Sequence, residues 1–308
     1  MNDNVTMIEK KVLSSDGEHQ LAGRVYVPEG EPVGVFQVVH GMTEHIARYD
    51  AFMREISSHG FVVFGYDHLG HGLTARNDGE LGFIAHRDGW RRLVDDVERF
   101  AAEVRAEYGE ALPYILMGHS MGSFIVRMTA ATYDRHDRLI IMGTGGPNTA
   151  AGAGLAMIKI IKALRGERYV SDFIYSVAFG KYNDRFADEN DIYAWLSKIR
   201  SVREAYAADK FCTFKFTVSA MGDLISVNRA SNAKSWARTM NKTKPVLLVS
   251  GSDDPVGDYG RGVTAVRDML VTAGVPAEMK IYDGCRHEIL NETCRDDVIK
   301  DILAFIGA

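Results

Sequence analysis

The sequence predicts an α/β fold: a mostly parallel eight-stranded sheet with helices on both faces and a helical insertion. Three observations carry this. Short apolar, β-branched runs alternate with amphipathic helical patterns along most of the chain. The later runs are continuous rather than alternating, as strands buried on both faces require. One stretch, residues 147–240, breaks the rhythm, because helical patterns follow one another there with no convincing sheet strand.

Each element has its own warrant. "VTMIEKKVL" (5–13) and "LAGRVYV" (21–27) alternate in polarity, and the turn-rich "SSDGEHQ" between them reads as a hairpin. "GVFQVVH" (34–40), "FVVFGYD" (61–67), "YILMG" (114–118), "RLIIMG" (138–143), "PVLLVSG" (245–251) and "EMKIYDG" (278–284) give the other strands. Helices are predicted over 48–60, 90–109, 120–133, 261–274 and 294–307. In the second of these Leu93, Val97, Phe100, Ala101 and Val104 recur at helical spacing. Within the insertion, "AGLAMIKIIKALRG" (153–166) carries Leu155, Met157, Ile158, Ile161 and Leu164 on one face, with Lys159 and Lys162 opposite. Segments 191–199 and 216–240 also read as helical. The expected division is a core of 1–146 and 241–308, with 147–240 as a cap over the C-terminal ends of the strands.

Composition narrows the function classes. A chain of 308 residues with 46% hydrophobic and 25% charged residues is globular and long enough for one large domain with an insertion. Net charge is −5 and there is no basic stripe, so a nucleic-acid partner is not expected. The three cysteines, Cys212, Cys285 and Cys294, are odd in number and lack C-x-x-C spacing. That argues against a disulfide framework or a zinc site, and for a reducing compartment. "MNDNVTMIEKK" has no signal-peptide core, and no run has the length of a membrane span. The expectation is a soluble, cytoplasmic protein.

The chemistry starts at "YILMGHSMG" (114–122). Gly118-His-Ser-Met-Gly122 follows a predicted strand and opens a predicted helix, the context in which G-x-S-x-G exposes a nucleophilic serine on a strained turn. The helix N-terminus adds backbone N–H groups and a positive dipole at Ser120. A serine hydroxyl needs a base. Only His136 and His287 follow Ser120 in the chain. His136 precedes a strand, at the wrong end of the sheet, whereas His287 follows the last strand at the right end. The third member comes from "GSDDPVG" (251–257), where only one of two adjacent acids can face His287. Asp254 is preferred because Pro255 fixes the loop after it, with Asp253 as the alternative. The oxyanion needs two N–H donors, expected from Met121 and from Met42 in "VVHGMTEH" (38–45). Metal readings of that loop and of "DHLGHG" (67–72, with His68 and His71) are disfavoured, the first because no third ligand for it is apparent. No cofactor is required.

"HGMTEH", "YDHLGHG", "GHSMG", "GSDDPVG" and "GCRHEILNE", in this order and spacing, resemble the α/β-hydrolase superfamily. They look most like its monoacylglycerol lipase and lysophospholipase-like branch, grouped with serine aminopeptidase-type hydrolases. The resemblance covers about residues 20–305 and departs at "SKI" (197–199), which replaces a Ser-Arg-Asp-like run. It implies Ser120, Asp254 and His287 as a triad, and Met42 and Met121 as oxyanion donors. The expected substrate is a small ester bearing an acyl chain, a monoacylglycerol or lysophospholipid. A general short- or medium-chain carboxylesterase and a peptidase are the alternatives. A peptidase would need cap acids for the free amine, such as Asp172, Asp188 or Glu189. Leu155, Ile158, Ile161, Phe173, Tyr175 and Phe179 are the expected acyl-chain contacts. The cap is also expected to touch lipid aggregates or a membrane surface transiently, with Lys159 and Lys162 toward anionic headgroups. Cys285, two residues before His287, is read as a small buried filler, with a place beside the site as the alternative.

Overall fold

A computed structural model of the chain describes residues 5–308; residues 1–4, the start of the N-terminal stretch, lie outside it. Its eight strands form one sheet in the order β1-β2-β4-β3-β5-β6-β7-β8. They are β1 (Val5–Leu13), β2 (Gln20–Pro28), β3 (Gly34–Val39), β4 (Phe61–Tyr66), β5 (Tyr114–His119), β6 (Arg138–Met142), β7 (Val246–Gly251) and β8 (Ala277–Tyr282). The β1–β2 hairpin is antiparallel, and β2 also runs antiparallel to β4. From β4 onward every pairing is parallel.

Strand periodicity sorts the core into two layers. Along β5, Tyr114 and Leu116 face one cluster, while Ile115 and Met117 face the other. On the first face lie α2 (Gly89–Tyr108), α3 (Met121–Tyr133) and α9 (Arg261–Thr272). They contribute Val97 and Phe100, Ile125, and Val266. On the second lie α1 (Asp50–Ser58) and α10 (Arg295–Ile306), with Phe52, Ile56 and Ile302. β8 departs from the continuous burial expected of it. It is the edge strand: Glu278, Lys280 and Ile281 are exposed, and Ala277 and Met279 are half-buried.

No strand interrupts residues 143–245 between β6 and β7. The segment holds α4 (Ala151–Arg165), α5 (Asp172–Phe179), α6 (Arg200–Ala208), α7 (Val218–Ser231) and α8 (Lys234–Thr239). Ser171 and Thr217 cap α5 and α7 by accepting from the N–H groups of Ile174 and Ala220. Two sequence expectations need correction. Residues 191–199 form turns, not a helix, because side chains capture the backbone. Asp191 accepts from the N–H of Tyr193, and the Asn183 amide bridges Ile192 O and the Trp195 N–H. The predicted helix over 216–240 breaks at Asn232, whose amide turns to Arg127 on α3 and to the Gly145 carbonyl. Beyond it, Trp236 on α8 donates to the Arg127 carbonyl, so this end of the insertion is fastened to the body.

The cysteine expectation is also corrected. Cys285 and Cys294 are paired as a disulfide that closes the loop carrying His287, and only Cys212 is free. Cys285 is buried as well, so it offers no accessible thiol beside His287.

Candidate active site

Four loops leave the C-terminal ends of β3, β5, β7 and β8 and converge, as expected where parallel strands point one way. The tightest is the turn from β5 into α3. Ser120 stands there at φ 53°, ψ −120°, outside the ordinary regions for a residue with a Cβ. The turn exists because two glycines leave room for it. A Cβ on Gly118 would overlap the Gly122 carbonyl, and one on Gly122 would overlap the Val39 and His40 carbonyls.

His287 and Asp254 meet although 33 residues separate them. His287 Nδ1 donates to Asp254 Oδ2 at 2.9 Å. The carboxylate also accepts from the Val256 N–H at 2.8 Å and from the Ser250 hydroxyl at 3.3 Å, and the residue is fully buried. The hydrogen-bond partner of His287 Nδ1 is thus Asp254 and not Asp253, whose N–H bonds the Cys285 carbonyl. His136 is buried just before β6, at the opposite end of the sheet from Ser120. Ser120 and His287 line one cavity of about 830 Å³ together with Met42 and Met121. No hydrogen bond joins Ser120 Oγ to His287; such nucleophile–base bonds tighten as the reaction complex forms.

The loop after β3 presses against Ser120: a Cβ on Gly41 would sit 2.9 Å from Ser120 Cβ. His40 Nδ1 donates to the Gly41 carbonyl at 2.8 Å, and His40 Nε2 accepts from the His68 N–H at 3.0 Å. Those two bonds define a neutral ring. Burial, then the nearby His68 and His71, push His40 well below the usual imidazole range. Burial likewise takes His68 down to about 3 and His71 to about 4. "DHLGHG" is thus a buried support for the 40–45 loop.

Two residues that sequence reasoning passed over organise this region. Glu44 accepts from the Gly41 N–H, the Tyr49 hydroxyl at 2.9 Å, His119 Nδ1 at 3.1 Å and Arg48 at 3.1 Å. Arg48 in turn makes a forked pair with Glu288, beside His287. His119 Nε2 donates to the His287 carbonyl at 3.3 Å. Burial disfavours charge on both partners, but the Glu44–His119 hydrogen bond and attraction outweigh it. Glu44 is held far below the carboxylate range, and His119 is raised. The only sequence signal was their position, one beside each predicted active-site loop.

The cavity wall differs in part from expectation. Ile158, Phe179 and Tyr175 line it. Leu155, Ile161 and Phe173 do not: Ile161 packs against the core, and Phe173 points outward, 61% exposed. The helical face predicted over 153–166 is wider than the strip that reaches the cavity. Lys162 is not free for a headgroup, because it is tied to Ser219 Oγ at 3.1 Å and Glu167 at 3.5 Å. His45 has ligand-type neighbours that the sequence did not reveal. Asp209 and Cys212 offer atoms within 4.8 Å of it and of each other, and His45 Nε2 already bonds Asp209 at 2.8 Å.

Comparison with known proteins agrees with this architecture. The family model described as serine aminopeptidase, S33 matches residues 30–294. A monoacylglycerol lipase of Mycolicibacterium smegmatis is 26% identical over 96% of this chain and 98% of its own. A monoglyceride lipase of Mus musculus is 32% identical over 91% of this chain and 84% of its own. The crystal structure of a carboxyl esterase from Bacillus coagulans superposes with a TM-score of 0.92 at 30% identity, covering 98% of both chains. The chain therefore belongs to the serine aminopeptidase S33 family of α/β-hydrolases and is a serine ester hydrolase.

Proposed function

We propose that the enzyme hydrolyses lipid-type carboxylic esters, monoacylglycerols or lysophospholipids, through an acyl-enzyme on Ser120. The observation that carries the reading is the buried His287–Asp254 pair, whose His287 lines a large, mostly apolar and aromatic cavity with the strained Ser120. In this reading His287 takes the Ser120 proton as the oxygen attacks the ester carbonyl. The imidazolium then returns that proton to the departing alcohol. Water, deprotonated by the same ring, releases the acid and restores Ser120. Asp254 fixes the ring with Nδ1 protonated, leaving Nε2 to face the serine.

The tetrahedral oxygen is held by the N–H groups of Met42 and Met121. Neither donates to another group of the described residues. The two ends of a peptide unit point in opposite directions. By holding the Gly41 carbonyl, His40 therefore turns the Met42 N–H away from itself, and Met42 lines the cavity.

Insertion 147–240 serves as the cap that selects the acyl group, with Ile158, Tyr175 and Phe179 against the chain. The cap acids considered for a peptidase are not in the wall, and the acids that are, Glu44, Glu288 and Asp258, are each paired with an arginine. Asp172 is paired with Lys215, Glu189 with Arg286 and Arg203, and Asp188 lies outside the cavity. That favours an ester over a peptide. Apolar side chains exposed on α4 and α5 support contact with lipid aggregates.

A fluorophosphonate probe should label the wild type and not Ser120→Ala. Long-chain p-nitrophenyl esters, monoacylglycerol and lysophosphatidylcholine should be turned over in preference to aminoacyl amides. A peak at acetyl or butyryl with no glycerolipid turnover would refute the lipid reading.

A further inference from the structure

Thr43 follows the Met42 donor and has φ of 50°. A β-branched residue in the left-handed region is an outlier that persists only where its surroundings hold it. What holds it comes from the insertion. The Tyr206 hydroxyl, on α6, donates to the Thr43 carbonyl at 2.8 Å and lies 3.0 Å from Thr43 Oγ1, which can donate to it in turn. Tyr206 is itself fixed. It is 7% exposed, packs against Tyr193 at a ring separation of 5.1 Å, and lies under the Arg48 guanidinium at 4.9 Å. A second tie crosses at His45, whose ring bonds Asp209 just beyond the end of α6. The two ties flank Glu44, which accepts from the Gly41 N–H.

We propose that Tyr206 is a positioning residue for the oxyanion loop, holding Thr43 in its left-handed conformation so that the Met42 N–H stays aimed at the reacting carbonyl. The proposal rests on the oxyanion role assigned to Met42 above. It gives the insertion a second task beside acyl-chain selection. Displacement of α6 releases the strained loop and turns the donor away, so catalysis is coupled to the seating of the cap. Tyr206 borders the same cavity, so direct contact with substrate is the competing account.

The two accounts separate in a double-mutant cycle. Glycine adopts a left-handed φ without strain, so Thr43→Gly removes the need for a brace. Tyr206→Phe removes only the hydroxyl. In the Thr43 background, Tyr206→Phe should lower kcat on a water-soluble ester by about tenfold or more, less than the ~10²–10³-fold of deleting a donor outright. KM and the melting temperature should be nearly unchanged. In the Thr43→Gly background the same substitution should cost no more than about twofold, by the additivity argument. An equal loss in both backgrounds, or no loss in either, overturns the proposal. If Tyr206→Phe unfolds the cap, Asp209→Ala, which leaves His45 no acceptor there, tests the second tie with Tyr206 in place, and an unchanged kcat there overturns it. Ser120→Ala run in parallel keeps the two levels apart. Retained activity in that variant refutes the triad itself, whereas an inactive Ser120→Ala beside a fully active Tyr206→Phe refutes only the brace.

Discussion

Glu44 is a carboxylate with almost no access to water, and it survives ionised because both of its oxygens are used. Removing its charge leaves the His119 ring without its buried partner and Arg48 with Glu288 alone. Breaking a buried pair in this way costs about 3–5 kcal/mol. Glu44→Gln is therefore expected to lower the melting temperature at neutral pH by many degrees. The pH dependence has a definite sign. His119 is raised, so its contribution is complete below the ordinary imidazole value and is lost as pH rises through the raised one. Glu44 is lowered, so its contribution is present above the ordinary carboxylate value and is lost only as pH falls through the lowered one. The pair thus stabilises the fold across the acidic-to-neutral range and weakens on the alkaline side. Melting curves between pH 5 and 9 should show that alkaline loss in the wild type and a flatter profile in Glu44→Gln; parallel profiles would refute the assignment. At the same scale, Asp254→Asn should lower kcat on the order of 10⁴-fold through the wrong His287 tautomer, while Asp253→Asn should leave it nearly unchanged. Ser120, His287 and Asp254 were legible because each sits in a short local pattern after a strand. Glu44 and His119 were not, because their meaning lies in a contact across 75 residues that no local pattern encodes.

Among the elements, β3, β5 and α3 cross with their backbones in close approach beside the site. Gly122 lets α3 lie against the end of β3, and Gly118 lets it start directly from β5. Gly122→Ala puts a methyl group into the carbonyls of Val39 and His40, and the backbone cannot yield without moving the loop that carries Met42. Overpacking of this kind costs about 1–3 kcal/mol or more. The expected result is a lower melting temperature together with much slower fluorophosphonate labelling, and unchanged labelling would contradict the geometry. The strands and the long helices were readable because binary pattern and burial agree in them. β8 misled because an edge strand shows half of its residues to solvent even when its sequence reads as apolar. Residues 191–199 misled for a different reason. Asn183 and Asp191 satisfy backbone groups that a helix would have used, and this depends on where the chain returns rather than on the segment itself.

The molecule as a whole is asymmetric in where it leaves apolar side chains in water. Ile160, Leu164, Val170, Phe173, Val177 and Ile192 are all exposed, Leu164 by 76% and Phe173 by 61%, and all six belong to the insertion. The rest of the exposed large apolar residues are scattered singly over a much longer stretch of chain. No helix among the described residues is long and apolar enough to cross a membrane. In the proposed reading these side chains are where the insertion lies on a lipid aggregate. Neither Leu164 nor Phe173 lines the cavity, so replacing them leaves the acyl-chain wall intact. Full burial of such a side chain is worth about 1.5–3 kcal/mol. Losing two, each part-buried in lipid, should weaken partitioning by about tenfold or more, since 1.4 kcal/mol is a factor of ten. Leu164→Ser combined with Phe173→Ser should thus reduce co-sedimentation with phospholipid vesicles and turnover of micellar monoacylglycerol. Turnover of a short, water-soluble ester should stay the same. Equal loss on both substrates would place the two side chains in the catalytic apparatus instead, and no loss on either would leave the exposed face without a role in lipid contact.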